Sequence, residues 1–174
     1  MIDVSPITGE TAATLELDED VPLESITAGD CLVLFAQEPR LRATLTNTGD
    51  VIVLTGTVEG VARLECSRCL EPFDLSMRGS LEGTFADAAL GSELPDEEEW
   101  YPLAGGRADL LPAIESALCM EIPFAPLHDP ACRGICPTCG CDLNRDQCTC
   151  EQSRDIESDG PFAALKGLLP PEDE

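Results

Sequence analysis

Basic residues are scarce in this chain: 10 Lys and Arg stand against 34 Asp and Glu, a formal net charge of -24 at pH 7. A polypeptide this acidic is repelled by phosphate backbones and suits basic protein partners. Aromatic residues make up only 4%, so platforms for stacking unpaired bases are few and the core must come from Val, Leu, Ile and Ala. No apolar run approaches the ~20 residues of a membrane span. The opening MIDVSPITGETAATLELDED has neither a positive n-region nor an apolar h-region. A cytoplasmic protein is expected. No Gly-rich phosphate loop and no internal repeat is present. Hydrophobic residues still reach 43% of 174, enough for one domain with a real core.

Cysteine, by contrast, is abundant. In a reducing compartment ten cysteines read as metal ligands or redox thiols rather than as five disulfides. Six of them, with the only histidine, fall in Leu127 to Cys150, LHDPACRGICPTCGCDLNRDQCTC. Cys136 and Cys139 form a C-P-x-C-G turn and Cys148 and Cys150 a C-x-C turn, so four thiols can converge on one tetrahedral ion. His128 and Cys132 stand four apart without local mates; Cys66 and Cys69 of ECSRCLEPF are the unclaimed pair. The natural partition is therefore Cys66, Cys69, His128 and Cys132 in one site and Cys136, Cys139, Cys148 and Cys150 in the other. The alternative is a single site in which Cys66 and Cys69 join two downstream thiols and His128 is a surface residue. Thiolate-rich tetrahedral sites select zinc, with iron–sulfur as the rival, and two zinc ions are expected. Cys31 and Cys119, in apolar runs, are assigned to the core, and Cys141 is left as a free thiol.

The remainder reads as an α+β fold, mainly β. Ala13, Leu15 and Leu17 alternate with polar residues, CLVLF at Cys31 to Phe35 has the look of a buried strand, and Leu41, Ala43 and Leu45 repeat the alternation before an NTGD turn. From 51 to 65, Ile52, Leu54, Val58, Ala62 and Leu64 share one face; from 72 to 85, Phe73, Leu75, Met77, Leu81 and Phe85 do. These strands predict a hairpin with Cys66 and Cys69 at its tip, and their glycines predict a curved antiparallel sheet or partial barrel. Residues 86 to 99 read as an acidic loop, and Trp100 to Leu103 as one more strand. A helix near 109 to 121, N-capped by Asp109 and carrying Leu111, Ile114, Leu118 and Ile122 on one side, is expected against the sheet. The chain divides into a β-rich core with one helix (1–126), a cysteine-rich zinc ribbon (127–150), and an acidic linker with a short terminal helix at PFAALKGLL (151–174).

ECSRCLEPF after a long strand, GGRADLL at a helix start, CRGICPTCGCDLNRDQCTC and the terminal DGPFAALKGLL together resemble the bacterial YceD family, the large ribosomal RNA subunit accumulation proteins. The resemblance covers roughly residues 30 to 169. It implies a role in the synthesis, processing or stability of large-subunit ribosomal RNA. Two departures stand out: His128 occupies the first cysteine's place in an L-C-x-x-x-C pattern, which keeps a competent zinc ligand, and the last helix is less basic.

Three functions compete. The first is a non-enzymatic, zinc-stabilised ribosome assembly factor whose partner is a basic ribosomal protein or a pre-ribosomal particle; saturated metal sites leave no open position to activate water. The second is a zinc-dependent thiol redox switch or holdase chaperone. The third, direct RNA binding, rests on Arg63, Arg68, Arg133, Arg145 and Arg154 near the cysteines, which equally serve to balance thiolate charge.

Overall fold

The computed structural model describes residues 1–29, 31–87 and 100–150. Its elements run β1 (Ile2–Asp3), α1 (Ser5–Thr8), β2 (Thr14–Asp20), β3 (Ser25–Ala28), β4 (Cys31–Phe35), β5 (Arg40–Asn47), β6 (Ile52–Glu65), β7 (Pro72–Ala86), β8 (Trp100–Pro102), β9 (Arg107–Ala108) and α2 (Leu111–Met120). Two compact units are present, Met1–Cys132 and a second that begins at Arg133.

Strict alternation builds the longest elements of the first unit. Ile52, Leu54, Val58, Ala62 and Leu64 of β6 and Met77, Leu81 and Phe85 of β7 are buried, while Thr55, Arg63, Ser80 and Glu82 are exposed. The predicted register therefore holds, with Leu54 opposite Gly83 and Thr57 opposite Ser80. Each large side chain taken from water in this way contributes about 1.5–3 kcal/mol, which is why one face of the hairpin is committed to the core.

β6 is long enough to hold two partners on one edge. β5 pairs with it from Ile52 to Glu59 and β4 at Ala62 and Arg63, while β7 follows its other edge from end to end. β2 extends the sheet beyond β5 and β3 beyond β4; β8 adds to β7 in parallel, the other pairings in this seven-stranded open sheet being antiparallel. β1 and β9 form a separate small ribbon.

Helix α2 buries Ala113, Ile114 and Leu118. It starts at Leu111, two residues after Asp109, whose carboxylate accepts the Leu111 N–H at 3.3 Å. The helix comes backbone to backbone with the sheet at Gly79, where a Cβ would stand 2.7 Å from the Ala117 carbonyl oxygen. The N-terminal segment is tied in by buried Asn47, whose amide donates to the carbonyls of Ile7 (2.7 Å) and Glu10 (3.1 Å) while its oxygen accepts the Gly49 N–H at 2.8 Å.

Of the two cysteines assigned to the core, Cys119 packs against it and Cys31 needs correction. Cys31 is exposed: it opens β4 where that strand has no β6 partner. Cys119 is half-buried, its sulfur 3.6 Å from the Thr27 carbonyl oxygen. Nor is CLVLF buried on both faces, since alternation turns Leu32 (66% exposed) and Leu34 (52%) outward and leaves Val33 inside. The acidic loop, from residue 88 onward, and the helix expected at PFAALKGLL lie outside the described residues. Among the described residues no helix is long and apolar enough to cross a membrane.

Candidate metal centres

The β6–β7 hairpin closes through a six-residue knuckle, Cys66 to Glu71. Cys66 donates its N–H to the Glu71 carbonyl (3.0 Å) and accepts that of Leu70 on its own carbonyl (2.8 Å). This turn needs a left-handed residue at its fifth position, and Leu70 supplies it at φ 61°. A side chain with a Cβ is disfavoured there. The fold of the knuckle turns backbone N–H groups onto sulfur: those of Arg68 and Cys69 onto Cys66, and that of Glu71 onto Cys69.

The segment after α2 completes this centre. Ser67 donates its N–H to the Pro126 carbonyl at 2.8 Å, and a turn from Asp129 to Cys132 is closed by Cys132 N–H on the Asp129 carbonyl at 2.9 Å. Arg68, between the two knuckle cysteines, reaches across to the carbonyl oxygens of Cys132 (2.7 Å) and Pro130 (3.4 Å). Cys66, Cys69, His128 and Cys132 are thereby brought together, with one ligand atom from each lying within 4.8 Å of the others. The Cys66 and Cys132 sulfurs are 3.8 Å apart and Cys69 Sγ is 3.4 Å from His128 Nδ1. A tetrahedral zinc ion sets two sulfurs about 3.8 Å apart and a sulfur and nitrogen about 3.5 Å apart. Cys66 and Cys132 are buried and Cys69 half-buried.

The second unit repeats the knuckle. Cys136 donates to the Cys141 carbonyl (2.8 Å) and accepts from Gly140 (2.9 Å), and Gly140 takes the left-handed position at φ 75°. Thr138 and Cys139 N–H groups face the Cys136 sulfur, and that of Cys141 faces Cys139. Ile135 bridges Asp142, Leu143 donates to the Gly134 carbonyl at 2.9 Å, and Arg133 N–H meets the Asn144 side-chain oxygen at 2.7 Å. Cys136, Cys139, Cys148 and Cys150 converge within 4.8 Å, with Cys148 3.3 Å from Cys136 and 3.7 Å from Cys139. Buried side chains are few here, chiefly Cys136 and Leu143. All ten cysteines of the chain are free thiols.

Electrostatics set the thiols of each centre against one another. Burial pushes the Cys66 thiol up, but the backbone N–H groups of His128, Arg68 and Cys69 outweigh it and lower it to about 5. The Glu71 N–H draws Cys69 down, yet burial and the sulfurs of Cys66 and Cys132 prevail and push it up to about 11. In the second centre the N–H groups of Cys139 and Thr138 lower Cys136 to about 6, whereas the sulfurs of Cys139 and Cys148 push Cys150 up to about 12. Within each centre some thiols are drawn toward thiolate, Cys66 in the first and Cys136 and Cys139 in the second, while Cys69 and Cys150 beside them resist a further negative charge. A divalent cation among the sulfurs removes that conflict, so the donor sets fit a tetrahedral metal ion. The Cys139 sulfur, burial and the Cys148 sulfur also push Cys141 up to about 12, which places its thiol beside the second centre.

Beside Arg68, two of the arginines near the cysteines are engaged locally. Arg63 makes two bonds to Asp74 (3.0 and 3.3 Å) and Arg145 lies 3.5 Å from Asp142; Arg154 lies outside the described residues.

With this geometry in view, residues 54–169 match the profile of the family described as large ribosomal RNA subunit accumulation protein YceD. The chain belongs to the YceD family. An uncharacterized protein of Mycobacterium tuberculosis is 33% identical over 125 residues, covering 71% of this chain and 58% of that protein. A chloroplastic YCED homolog 1 of Zea mays, named a large ribosomal RNA subunit accumulation protein, is 28% identical over 152 residues, covering 67% of this chain and 48% of that one. The matched part thus spans about half the length of these relatives, 58% of the first and 48% of the second. No solved structure matches. The relatives' names lend no support to the redox-switch expectation.

In this YceD-family chain two features escaped the sequence reading. Arg68 is a clamp on the loop that presents Cys132, not merely a counter-charge; its place between two cysteines was the available signal. The equivalence of the two knuckles was masked because Leu70 stands where a glycine is expected.

Proposed function

We propose that this protein is a non-enzymatic factor that supports the synthesis, processing or stability of large-subunit ribosomal RNA, held in shape by two structural zinc ions. Cys66, Cys69, His128 and Cys132 hold one and Cys136, Cys139, Cys148 and Cys150 the other, within three parts that comprise a β-rich core to residue 126, a ribbon at 127–150 and an acidic tail. The family match over residues 54–169 carries the reading. Bound zinc supplies a structural tie and no open coordination position, because four protein ligands saturate each centre. The chain's own residues then act by contact. The charge of -24 suits a basic ribosomal protein or a pre-ribosomal particle as partner, in the cytoplasm where such particles assemble.

The test is complementation. Cells lacking the protein are expected to show a reduced ratio of large- to small-subunit ribosomal RNA, restored by the intact chain but not by one carrying Cys66→Ser and Cys136→Ser. A pulldown in which ribosomal proteins and RNA are both counted should return protein partners that survive nuclease treatment. A normal ratio in the deletion strain would overturn the proposal.

A further inference from the structure

Strand β7 presents a long open edge. β6 follows one side of it from Pro72 to Phe85, whereas β8 covers the other side only from Thr84 to Ala86. Among the described residues no backbone hydrogen bond reaches that outer side from Pro72 to Leu81. The other ends of the sheet are blunted against pairing: β3 has only 4 residues, and β2 carries Glu16, Asp18, Glu19 and Asp20. β7 has 15 residues and charges of both signs. Strand register aligns Asp20, Arg40, Glu59 and Arg78 across β2, β5, β6 and β7 in alternating sign, with Arg40 3.0 Å from Asp20 and Arg78 3.5 Å from Glu59. This row ends at the open edge on a positive charge. Nearer the knuckle Arg63 faces Asp74 at 3.0 Å, and that row ends at the same edge on a negative one.

We propose that the outer edge of β7 is a dimer interface, at which two copies of this chain pair antiparallel with Ser76 opposite Ser76. Asp74 of each copy then stands opposite Arg78 of the other. The row Asp20, Arg40, Glu59, Arg78 of one copy runs on into Asp74 and Arg63 of the second with no like-charged neighbours, and the two-fold axis makes this match twice. On the opposite face Phe73 and Leu75, only half-buried in the single chain, come beside the second copy's Gly79 and Met77 and lose contact with water. The charge of -24 on each copy opposes association. At about 0.15 M salt, however, repulsion beyond about 8 Å is largely screened, while side chains in contact keep more of their attraction. The interface does not depend on the ribosomal RNA reading.

Sedimentation equilibrium of the full, zinc-loaded chain in that salt is expected to show the mass rising with concentration from the monomer's to twice that value. Arg78→Asp and Asp74→Arg should each remain monomeric, because acid then meets acid or base meets base across the axis. An equimolar mixture of the two variants should dimerise again, since every introduced charge faces its opposite; recovery also shows that both are folded. Amide exchange should slow with concentration along residues 73–79 and stay constant along β2. A wild-type chain still monomeric at about 1 mM, the weak end of the affinity scale, overturns the proposal. So does a dimer that Asp74→Arg leaves intact, or a mixture that fails to recover it. Outer-edge β7 amides already slow in the dilute monomer overturn it too, by showing that another segment of the chain covers the edge.

Discussion

The guanidinium of Arg68 donates to the carbonyl oxygen of Cys132 at 2.7 Å, so a residue between two candidate ligands on the hairpin holds the backbone of a third, 64 positions along the chain. Groups that orient ligands without touching the ion change affinity by about 10- to 100-fold when removed. Arg68→Ala is expected to weaken metal binding at the first centre by that factor, with Arg68→Lys recovering part of it. Competition with a chromophoric chelator measures this, and an unchanged affinity would mean that the Asp129 turn holds the loop unaided.

Cys136→Ser should reduce metal content from two equivalents to one and abolish order in the ribbon. The ribbon buries little besides Cys136 and Leu143, so its folding energy is largely binding energy, worth about 10–16 kcal/mol in isolated zinc-finger peptides. Cys141→Ser should retain two equivalents, although its thiol lies beside the centre. Metal analysis together with amide exchange of residues 133–150 distinguishes these outcomes, and equal losses in both variants would reassign the ligands.

Asn47→Ala should destabilise the first unit by about 1–3 kcal/mol, because the carbonyls of Ile7 and Glu10 and the Gly49 N–H lose their shared partner. Urea denaturation gives the magnitude. Faster amide exchange at Ala12, whose N–H donates to the carbonyl of residue 47, and at residue 47, whose N–H donates to the Ala13 carbonyl, would locate the damage.

Gly79→Ala should also destabilise, by about 1–3 kcal/mol, since the new methyl group would stand 2.7 Å from backbone oxygen that cannot swing aside. Thermal unfolding checks this against Gly9→Ala, where a Cβ meets nothing within 4 Å. Equal shifts would show that α2 rides on the sheet more loosely than its contact at Gly79 implies.

Much of the architecture was legible in the order of residues. Alternation in Ile52–Glu65 and Pro72–Ala86 set the hairpin and its buried face, because a strand repeats every two residues and a slip of one would turn Leu54 and Leu81 to water. The second centre was legible for a similar reason. Its ligands lie within Cys136 to Cys150, so their meeting depends on local turn chemistry and a glycine at the left-handed position.

Other features depended on contacts between distant segments. CLVLF carries no mark of which face will be covered: alternation turns Leu32 and Leu34 to solvent once Val33 faces the core, and the sharing of the β6 edge between β5 and β4 leaves Cys31 without a β6 partner. Cys66 and Cys69 carry no mark of their mates either. Helix α2 fastens against Gly79 and returns the chain to the hairpin tip, where Arg68 and Ser67 hold the loop from Pro126 to Cys132. Local sequence encodes periodicity and turns, since these follow from the backbone of a few neighbouring residues. The meeting of Cys66 with Cys132 follows from which surfaces remain uncovered once the sheet and helix have formed, a property of the packed chain that no short segment contains.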